Sequence, residues 1–503
     1  MFFMVLQGYW GNLDMGLIDL LENKKLLQTG LLINGQWLTD DRDNFDVINP
    51  ATGIEITTIP RAVQKDLDAA VDSARLAMSK WQKLSSKERA KILKKWYDLI
   101  IVNVDDLAKI LTMEQGKPLS EAKVEILYGA SYLEWYAEEA KRNYGESIPA
   151  NNVNQRIMIQ YEPVGVCAAI TPWNFPNAML ARKVAPALAA GCAIIAKPAS
   201  QTPLSANALG YLALEAGIPP GLFNIVHGHS GQIGEFFCHN QEIRKLTFTG
   251  STEVGVWLYQ NCANTMKKMS LELGGNAPLI VFDDADIELA VEGIMASKFR
   301  NSGQTCVCSN RIFVHNSIRD DLLKRLEIKV RQLKLGNGMD RETDLGPLID
   351  SKAVIHADSL ISDALDKGAY LLYGGKVDSG LGELFYQPTL INCPNTNVRL
   401  FNEEIFAPIL AIYGFDTDEE VIGMANNTPF GLASYFFSRN INRIYQIAES
   451  LHYGMVGVNT GIISAENVPF GGVKMSGLGR EGGHQGMEEY LQSKYICINL
   501  TCK

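Results

Sequence analysis

The chain has 503 residues, of which 47% are hydrophobic and 20% are charged, so it is long and apolar enough to bury a large core divided into two or three domains. Its formal net charge is -10 and it contains no run of lysine or arginine, which excludes the basic surface typical of nucleic-acid-binding proteins. Nine cysteines lie scattered along the chain instead of at the spacings of a disulfide framework, which indicates free thiols in a reducing compartment and predicts a cytoplasmic protein.

The N-terminal segment is expected to be an extension of the folded chain, comprising residues 1–14. Its first residues, MFFMVLQGYW, are apolar but lack the basic residues and the small-residue cleavage site of a signal peptide. Elsewhere no apolar stretch reaches the roughly 18 residues that cross a bilayer, because Pro, Lys or Asp interrupts each candidate. The sequence therefore predicts no membrane association.

The first long segment with a regular pattern, residues 64–145, is helical. Apolar residues recur there at helical spacing, and Ser85 and Glu88 stand at the spacing of a capping box. From residue 164 to residue 250, short β-rich runs alternate with segments of helical length. That alternation is typical of βαβ units and predicts a parallel sheet.

A second alternating series follows and predicts a second α/β unit. Its strands are APLIVF, RIFVH, YLLYGG, ILAIYGF and MVGVN, with helices in the segments between them. Two further strands, at 156–163 and 490–500, stand outside both series. Because such isolated strands leave unpaired backbone groups, we expect them to pair with each other or with another subunit. The fold class predicted for the chain is α/β.

Three short phrases contain side chains that are suited to catalysis: GQTCVC with Cys306, SLELGG with Glu272, and TPWNFP with Asn174. Each side chain has an ordinary structural explanation when it is taken alone. A single cysteine is more often a small buried hydrophobe than a nucleophile. A glutamate at a strand end is often a solvated carboxylate, and an asparagine near a proline is often a turn residue. Only the combination indicates a catalytic site.

Together these phrases resemble those of the aldehyde dehydrogenase superfamily, and the resemblance runs from roughly Leu32 to the C-terminus. It implies that family's fold, with a Rossmann-like cofactor domain, an α/β catalytic domain and a small β ribbon for oligomerisation. The implied boundaries are 15–149 and 165–272 for the cofactor domain, 273–484 for the catalytic domain, and 150–164 and 485–503 for the oligomerisation strands. A homo-oligomer, either a dimer or a tetramer, follows from the resemblance alone.

The resemblance also implies the chemistry. The thiolate of Cys306 would add to an aldehyde carbonyl, the resulting thiohemiacetal would lose a hydride to the cofactor, and a thioester would remain. The side chain of Asn174 and the backbone N–H of Cys306 would hold the oxyanion, at about 3 kcal/mol for each donor. Glu272 would act as the general base that activates water against the thioester. None of the seven histidines lies in these phrases, which disfavours a cysteine–histidine peptidase.

A dinucleotide is the implied cofactor, although the chain has no G-x-G-x-x-G. In its place GSTEVG, from Gly250 to Gly255, follows a predicted strand and opens a predicted helix, where free N–H groups can receive a pyrophosphate. Taken alone this phrase is also compatible with an ordinary tight turn. In the family the position of Ser251 contacts the phosphate. The other positions implied to contact the cofactor are Thr171, Trp173, Thr252, Leu273, Glu404 and Phe406.

The choice between NADP and NAD depends on Lys197 and Ser200. Lys197 occupies the family position that binds the adenosine ribose, and many NAD-preferring relatives have a glutamate at the position of Ser200. Without that carboxylate a 2′-phosphate meets no repulsion, and a hydroxyl donor stands near a lysine. NADP is therefore the expected cofactor, with NAD as second choice, and no metal is expected.

The substrate is predicted from the branch of the superfamily that the chain resembles most, the succinate-semialdehyde dehydrogenases. The residues that this branch uses on the distal carboxylate fall on Arg182, Arg300 and Ser464. Guanidinium groups pair with carboxylates through two parallel hydrogen bonds, which suits a small anionic aldehyde. Taken singly, Arg182 is equally compatible with a cation on a helix surface and Arg300 with a residue at a helix end.

Several alternatives stay open at this point. One methylene changes binding by only about 1–3 kcal/mol, so glutarate semialdehyde is a second candidate substrate. Lactaldehyde and betaine aldehyde are less favoured, since betaine aldehyde calls for an aromatic cage. A catalytically inactive member with a structural or binding role would be expected to lack part of the Cys306, Glu272 and Asn174 set. In some relatives a disulfide corresponding to Cys306–Cys308 silences the enzyme, although so short a ring is strained.

Overall fold

The computed structural model describes residues 16–40 and 42–500. The predicted extension, residues 1–14, lies outside them. These ranges contain four sheets and sixteen α-helices. No helix within those ranges is long and apolar enough to cross a membrane.

The largest sheet has eight strands in the order β19-β11-β10-β7-β8-β9-β1-β2. Strands β11, β10, β7, β8 and β9 run parallel to one another, as the βαβ pattern predicted, and antiparallel strands complete both edges. The strands are β1 (Leu31–Ile33), β2 (Gln36–Leu38), β7 (Val166–Ile170), β8 (Ala193–Lys197), β9 (Phe223–Ile225), β10 (Ile243–Thr249), β11 (Lys268–Glu272) and β19 (Gly477–Leu478).

Helices cover the faces of this sheet and form the helical layer predicted for residues 64–145. Ser85 and Glu88 make the predicted capping box, because the Ser85 hydroxyl accepts from the Glu88 N–H at 3.3 Å while the Glu88 carboxylate accepts from the Ser85 N–H at 2.8 Å. The helices of this part are α1 (Leu17–Leu20), α2 (Gln64–Trp81), α3 (Ser86–Val102), α4 (Val104–Gln115), α5 (Leu119–Glu139), α6 (Pro176–Ala190), α7 (Pro203–Ala216), α8 (Ser230–His239) and α9 (Thr252–Cys262).

The second sheet has seven strands in the order β14-β15-β16-β13-β12-β17-β18, and all neighbours except β14 and β15 are parallel. Alternate residues of β12 pack into different core clusters, Leu279 and Val281 into one and Ile280 into the other. Both faces are therefore buried, which explains the continuous apolar runs of these strands. They are β12 (Ala277–Val281), β13 (Ser309–His315), β14 (Tyr370–Tyr373), β15 (Thr389–Asn392), β16 (Ile409–Phe415), β17 (Ala433–Phe437) and β18 (Met455–Val458).

The helices that follow β11 pack mainly around the second sheet. The five predicted strands of this part are present as β12, β13, β14, β16 and β18, whereas β15 and β17 were not predicted. The helices are α10 (Ile287–Phe299), α11 (Arg319–Gln332), α12 (Ser351–Asp366), α13 (Arg399–Asn402), α14 (Asp418–Asn426), α15 (Ile441–Ser450) and α16 (Gln485–Glu488). The predicted domain boundaries stay a prediction.

The two strands outside the α/β series pair with each other, which is one of the two predicted pairings. β20 (Leu491–Asn499) lies antiparallel to β6 (Gln155–Pro163), and β5 (Glu146–Ile148) completes a three-stranded sheet. A separate hairpin joins β3 (Asn44–Ile48) to β4 (Glu55–Pro60). No sequence pattern predicted this hairpin.

Candidate active site

The carboxyl ends of four parallel strands bring the cofactor-site candidates to one edge of the large sheet. Strand β7 ends next to Thr171, and β8 ends at Lys197. Strand β10 ends next to Gly250, and β11 ends at Glu272. Backbone hydrogen bonds tie these ends together, because the Thr171 N–H donates to the Lys197 carbonyl at 3.2 Å and the Gly250 N–H to the Glu272 carbonyl at 3.1 Å. Ligands of open α/β sheets bind at such an edge.

Helix α9 begins directly at this edge. Ser251 is its N-cap, and its hydroxyl oxygen accepts from the Val254 N–H at 3.4 Å, which leaves the O–H free to donate to an anion. A side chain at Gly255 would overlap Leu273, so glycine lets the helix pack closely on the strand end. The helix therefore presents its positive end, with its free N–H groups, where a pyrophosphate would lie.

Glu404 faces the same edge from the second half of the chain. Its Oε1 accepts from the Gly275 N–H at 3.0 Å, and burial raises the pKa of its carboxyl group to about 7. Nearby, the Thr252 hydroxyl accepts from the Gly274 N–H at 3.3 Å. Two aromatic residues predicted to contact the cofactor, Trp173 and Phe406, meet edge to face with ring centroids 5.7 Å apart.

Lys197 is buried at the end of β8, and its ammonium group donates to the Pro198 carbonyl at 3.2 Å. Burial lowers the pKa of this ammonium group to about 8. Ser200 lies in the turn that follows and is partly exposed. Lys197 thus has one backbone partner, and an anionic group beside it would favour its charged form.

The loop that carries Cys306 begins with a strained turn after α10. Asn301 and Ser302 both have positive φ angles, 51° and 54°, and Gly303 follows at 76°. Two polar contacts hold the turn, because the Asn301 N–H donates to Glu121 Oε2 at 2.8 Å and the Ser302 hydroxyl donates to the Gly346 carbonyl at 2.8 Å. The turn places Cys306 where it is partly exposed.

The surroundings of Cys306 favour the neutral thiol over the thiolate. Burial raises its pKa to about 12, and the positive charge of Arg182 opposes that shift. The thiolate is the reactive form of a cysteine, so the positive charge of Arg182 acts in favour of that form.

Asn174 is buried and contacts the nucleophile loop directly. Its Nδ2 donates to the Gln304 carbonyl at 3.1 Å, while its Oδ1 has no hydrogen-bond partner in the described part of the chain. An amide nitrogen has two hydrogens, so one remains for a ligand. Asn174 therefore contacts the loop that carries Cys306, and its role as an oxyanion donor stays a prediction.

Glu272 is only 3% exposed, and neither of its carboxylate oxygens has a hydrogen-bond partner within residues 16–40 and 42–500. A side chain at Gly471 would crowd Glu272 Oε1, so glycine leaves room for the carboxylate there. Burial and the negative charge of Glu481 raise the pKa of Glu272 well above its ordinary value. A solvated carboxylate, the ordinary explanation of this residue, is excluded, and a buried group without a partner points to a ligand or a water.

A cavity of about 270 Å³ adjoins the thiol of Cys306. Arg182, Arg300 and Ser464 line it, so the predicted substrate residues and the predicted nucleophile share one cavity. Its other lining residues are Tyr128, Phe175, Met179, Thr305, Val307 and Phe470.

Both arginines stack on aromatic rings of this cavity. The Arg182 guanidinium lies 4.2 Å from the Phe470 centroid, and that of Arg300 lies 4.7 Å from the Phe175 centroid. The interpretation of Arg182 as a helix-surface cation is wrong, because this residue is only 1% exposed. The reason is that α6 is buried on all sides, which helical periodicity alone did not reveal.

Comparison with known proteins decides the family. The model of the aldehyde dehydrogenase family matches residues 37–496. The chain belongs to the aldehyde dehydrogenase family.

Three similar family members illustrate the relationship. Succinate-semialdehyde dehydrogenase [NADP(+)] of Escherichia coli is 50% identical over 95% of this chain and 100% of its own length. Glutarate-semialdehyde dehydrogenase of Pseudomonas putida is 51% identical over 95% of this chain and 100% of its own length. The crystal structure of succinate-semialdehyde dehydrogenase from Burkholderia pseudomallei has a TM-score of 0.94 at 50% identity and covers 95% of this chain and 99% of that one.

Some residues of this aldehyde dehydrogenase site were missed in the sequence analysis. Glu481 forms ion pairs with Arg182 and Lys183, and the Lys183 ammonium group also donates to the Thr247 hydroxyl at 3.0 Å. Tyr128 and Phe470 line the cavity. No local pattern indicates these partners, because Glu481 and Lys183 are 298 residues apart in sequence.

Cys308 lies under the nucleophile loop of this aldehyde dehydrogenase. It is buried, and its Sγ contacts the Lys298 carbonyl at 3.5 Å. Both Cys306 and Cys308 are free thiols in the structure. A reversible Cys306–Cys308 disulfide stays a prediction.

Proposed function

We propose that this chain oxidises succinate semialdehyde to succinate with NADP. The observation that carries the proposal is the shared cavity, in which Arg182, Arg300 and Ser464 stand around Cys306. Two guanidinium groups beside a nucleophile favour an aldehyde with a distal carboxylate. The name of the Escherichia coli relative agrees with this substrate and with this cofactor.

In the proposed reaction, Cys306 Sγ gives its proton to water and bonds to the aldehyde carbon, and the electron pair of the carbonyl π bond moves to the oxygen, which becomes an oxyanion. The free N–H of the Asn174 amide and the Cys306 backbone N–H donate to that oxygen. A hydride leaves the thiohemiacetal carbon, and a thioester on Cys306 results. Glu272 then takes a proton from water, the water oxygen bonds to the thioester carbon, and the carbon–sulfur bond breaks to release succinate.

The sheet edge fits a dinucleotide. The free N–H groups of α9 and the Ser251 hydroxyl would hold the pyrophosphate. Lys197 and Ser200 would hold the adenosine ribose with its 2′-phosphate, and Glu404 would hold the nicotinamide ribose. Two buried hydroxyls at this edge, those of Thr171 and Thr249, have no hydrogen-bond partner in the described residues, so polar groups are available for a ligand. When bound, NADP supplies the hydride acceptor.

Replacement of Arg300 by leucine tests the substrate. Arg300→Leu is expected to lower kcat/KM for succinate semialdehyde by about 30-fold or more, because the distal carboxylate loses a charged partner in a partly dry cavity. The value for butanal, which has the same length but no carboxylate, is expected to change less than about threefold. Arg300 is the better choice for this test, since loss of Arg182 would leave Glu481 buried with one cation fewer.

The control for this experiment is Arg439→Leu, which removes an exposed arginine that pairs with Asp286. It is expected to leave both aldehydes unaffected. If Arg300→Leu lowered kcat/KM equally for succinate semialdehyde and butanal, the proposed carboxylate site would be wrong.

Replacement of Ser200 by glutamate tests the cofactor. Ser200→Glu is expected to shift the ratio of kcat/KM for NADP to kcat/KM for NAD by about 10- to 100-fold toward NAD, because a carboxylate repels the 2′-phosphate and accepts from the ribose hydroxyls. Reduced cofactor is followed by absorbance. Ser200→Ala, which adds no charge, serves as the control and should shift the ratio far less. An unchanged ratio in Ser200→Glu would remove Ser200 from the cofactor site.

Glutarate semialdehyde is a second candidate substrate, supported by the 51% identical Pseudomonas putida relative. Parallel assays with both semialdehydes decide between them, and a kcat/KM at least about tenfold higher for glutarate semialdehyde would reverse the assignment. We further propose that the protein is cytoplasmic and forms a homo-oligomer, dimer or tetramer, in which residues 150–164 and 485–503 supply the contact strands. We also propose the predicted domain boundaries, which are 15–149 and 165–272 for the cofactor domain and 273–484 for the catalytic domain.

A further inference from the structure

A fully buried ion pair, Lys117 with Glu125, lies behind the oxyanion site. The Lys117 ammonium group donates to Glu125 Oε2 at 2.6 Å and to the backbone carbonyl of Asn174 at 2.7 Å. It also lies 3.8 Å from the centroid of the Phe175 ring. The exposed fractions of the two charged side chains are 0% and 1%. Lys117 therefore contacts the backbone of the proposed oxyanion donor directly.

The second carboxylate oxygen of Glu125 holds the start of α6. Its Oε1 accepts from the Asn177 N–H at 3.0 Å and from the Ala178 N–H at 3.2 Å. These are free N–H groups of the first helical turn, which a carboxylate stabilises. Since Asn174 lies just before this turn, Glu125 fixes the backbone on one side of Asn174 and Lys117 fixes its carbonyl.

The nucleophile loop is attached to the same carbonyl. Asn301 Nδ2 donates to the Asn174 carbonyl at 3.1 Å and to the Gln304 carbonyl at 3.1 Å. The Asn174 side chain itself donates to the Gln304 carbonyl at 3.1 Å. The Asn174 carbonyl is thus a shared acceptor for Lys117 and for the loop that carries Cys306.

Stability alone does not explain a lysine at this position. The desolvation of a buried ion pair costs several kcal/mol for each ion, and well-packed apolar residues often replace such a pair without loss of stability. A buried charge that is fully paired fixes one geometry, because an ammonium group out of place would lose its partners. In this pair Lys117 holds the backbone carbonyl of Asn174, and Glu125 holds the N–H groups that follow it at the start of α6.

From this geometry we propose that Lys117 and Glu125 are positioning residues that hold the Asn174 amide against the oxyanion formed on the Cys306-bound substrate. The inference rests on the proposed function and adds two residues that support the oxyanion donor. Neither residue touches substrate in this proposal. Lys117 acts through the Asn174 carbonyl, and Glu125 acts through Lys117 and the first turn of α6.

A double-mutant cycle between Lys117 and Asn174 tests the proposal. Lys117→Met in the otherwise unchanged enzyme is expected to lower kcat/KM for succinate semialdehyde about 100-fold, the order of loss for a displacement near 1 Å. In the Asn174→Ala background the same change is expected to cost less than about threefold, because there is no amide left to position. Equal losses in both backgrounds, or no loss in the first, would overturn the proposal.

The matched control is Lys267→Met, which removes another buried lysine that donates to backbone carbonyls, including that of Ile243 at 2.9 Å. Ile243 begins β10 and thus lies at the opposite end of the strand from Gly250. Any effect of Lys267→Met is expected to be the same in both backgrounds. A melting temperature and an NADP dissociation constant are measured for every variant, and the latter should stay within about twofold for Lys117→Met.

If Lys117→Met does not fold, Lys117→Arg takes its place in the same cycle under the same criteria. Arginine keeps the charge opposite Glu125, but its planar guanidinium does not reproduce the single ammonium group on the Asn174 carbonyl. Failure of the proposed function is recognised separately, since the unsubstituted protein would then oxidise neither semialdehyde. Activity with equal losses in both backgrounds overturns the positioning role alone.

Discussion

Cys306→Ala is expected to abolish aldehyde oxidation, with a fall in kcat of about 10⁵-fold or more, the order seen when a covalent nucleophile is removed. The physical reason is that no thioester forms without the sulfur, and the remaining groups of the site then have no covalent intermediate to stabilise. Steady-state formation of reduced cofactor from succinate semialdehyde measures the loss. NADP binding, measured by titration, should persist, because the proposed cofactor residues lie on the sheet edge and on α9.

Cys497→Ala is the matched control for this nucleophile test. Cys497 is an exposed free thiol on β20 and does not line the cavity of Cys306, so its removal deletes a thiol without changing that cavity. Its kcat is expected to equal that of the unsubstituted enzyme. Retention of more than about 1% of kcat by Cys306→Ala would contradict the nucleophile assignment.

Glu272→Gln is expected to separate the two halves of the reaction. Acylation of Cys306 should continue, so one equivalent of reduced cofactor appears in a burst, while the later steady rate falls by about 10²- to 10⁴-fold, the worth of a general base. Rapid mixing with absorbance detection resolves the two phases. Mass spectrometry of the quenched protein should show a succinyl adduct on Cys306.

The pH dependence follows from the state of the Glu272 carboxyl. Burial and Glu481 raise its pKa well above the usual range, and only the ionised form accepts a proton from water. The steady rate should therefore rise with pH through a pKa above the ordinary value of 4.5. In Glu272→Gln this rise should disappear. Glu235→Gln, an exposed change on α8, should keep both the rate and the pH profile. Absence of a burst in Glu272→Gln would contradict the assignment of Glu272 as the general base.

Local patterns predicted most of the secondary structure, because it is set by interactions close in sequence. The capping box at Ser85 and Glu88 and the helical periodicity after it are examples of such interactions. The βαβ alternation likewise predicted parallel strands, since only a crossover connection returns the chain in the same direction. The hairpin of β3 and β4 was missed, and it lies before the first segment with a regular pattern.

The placement of the site residues required more than local pattern. That Thr171, Lys197, Gly250 and Glu272 meet follows from the parallel strands, once the strand order is known. Arg182 shows the limit, because the helical segment around it left a surface position open as an alternative to the substrate site, and the structure buries it between Phe470 and Glu481. Burial depends on what packs against a helix and not on the helix alone.

The sequence by itself determined the α/β class, the family and the residues of the candidate site, because motifs and periodicity are local and can be recognised without knowledge of packing. Only the tertiary structure decided that Cys306, Arg182, Arg300 and Ser464 line one cavity. It also showed that the oxygens of Glu272 have no hydrogen-bond partners among the described residues, and that Glu481 faces Arg182 while Lys117 faces the Asn174 carbonyl. Those properties arise from contacts between segments far apart in the chain, such as Lys117 with Asn174 and Lys183 with Glu481. Burial then sets the pKa values and ion pairs on which the chemistry depends.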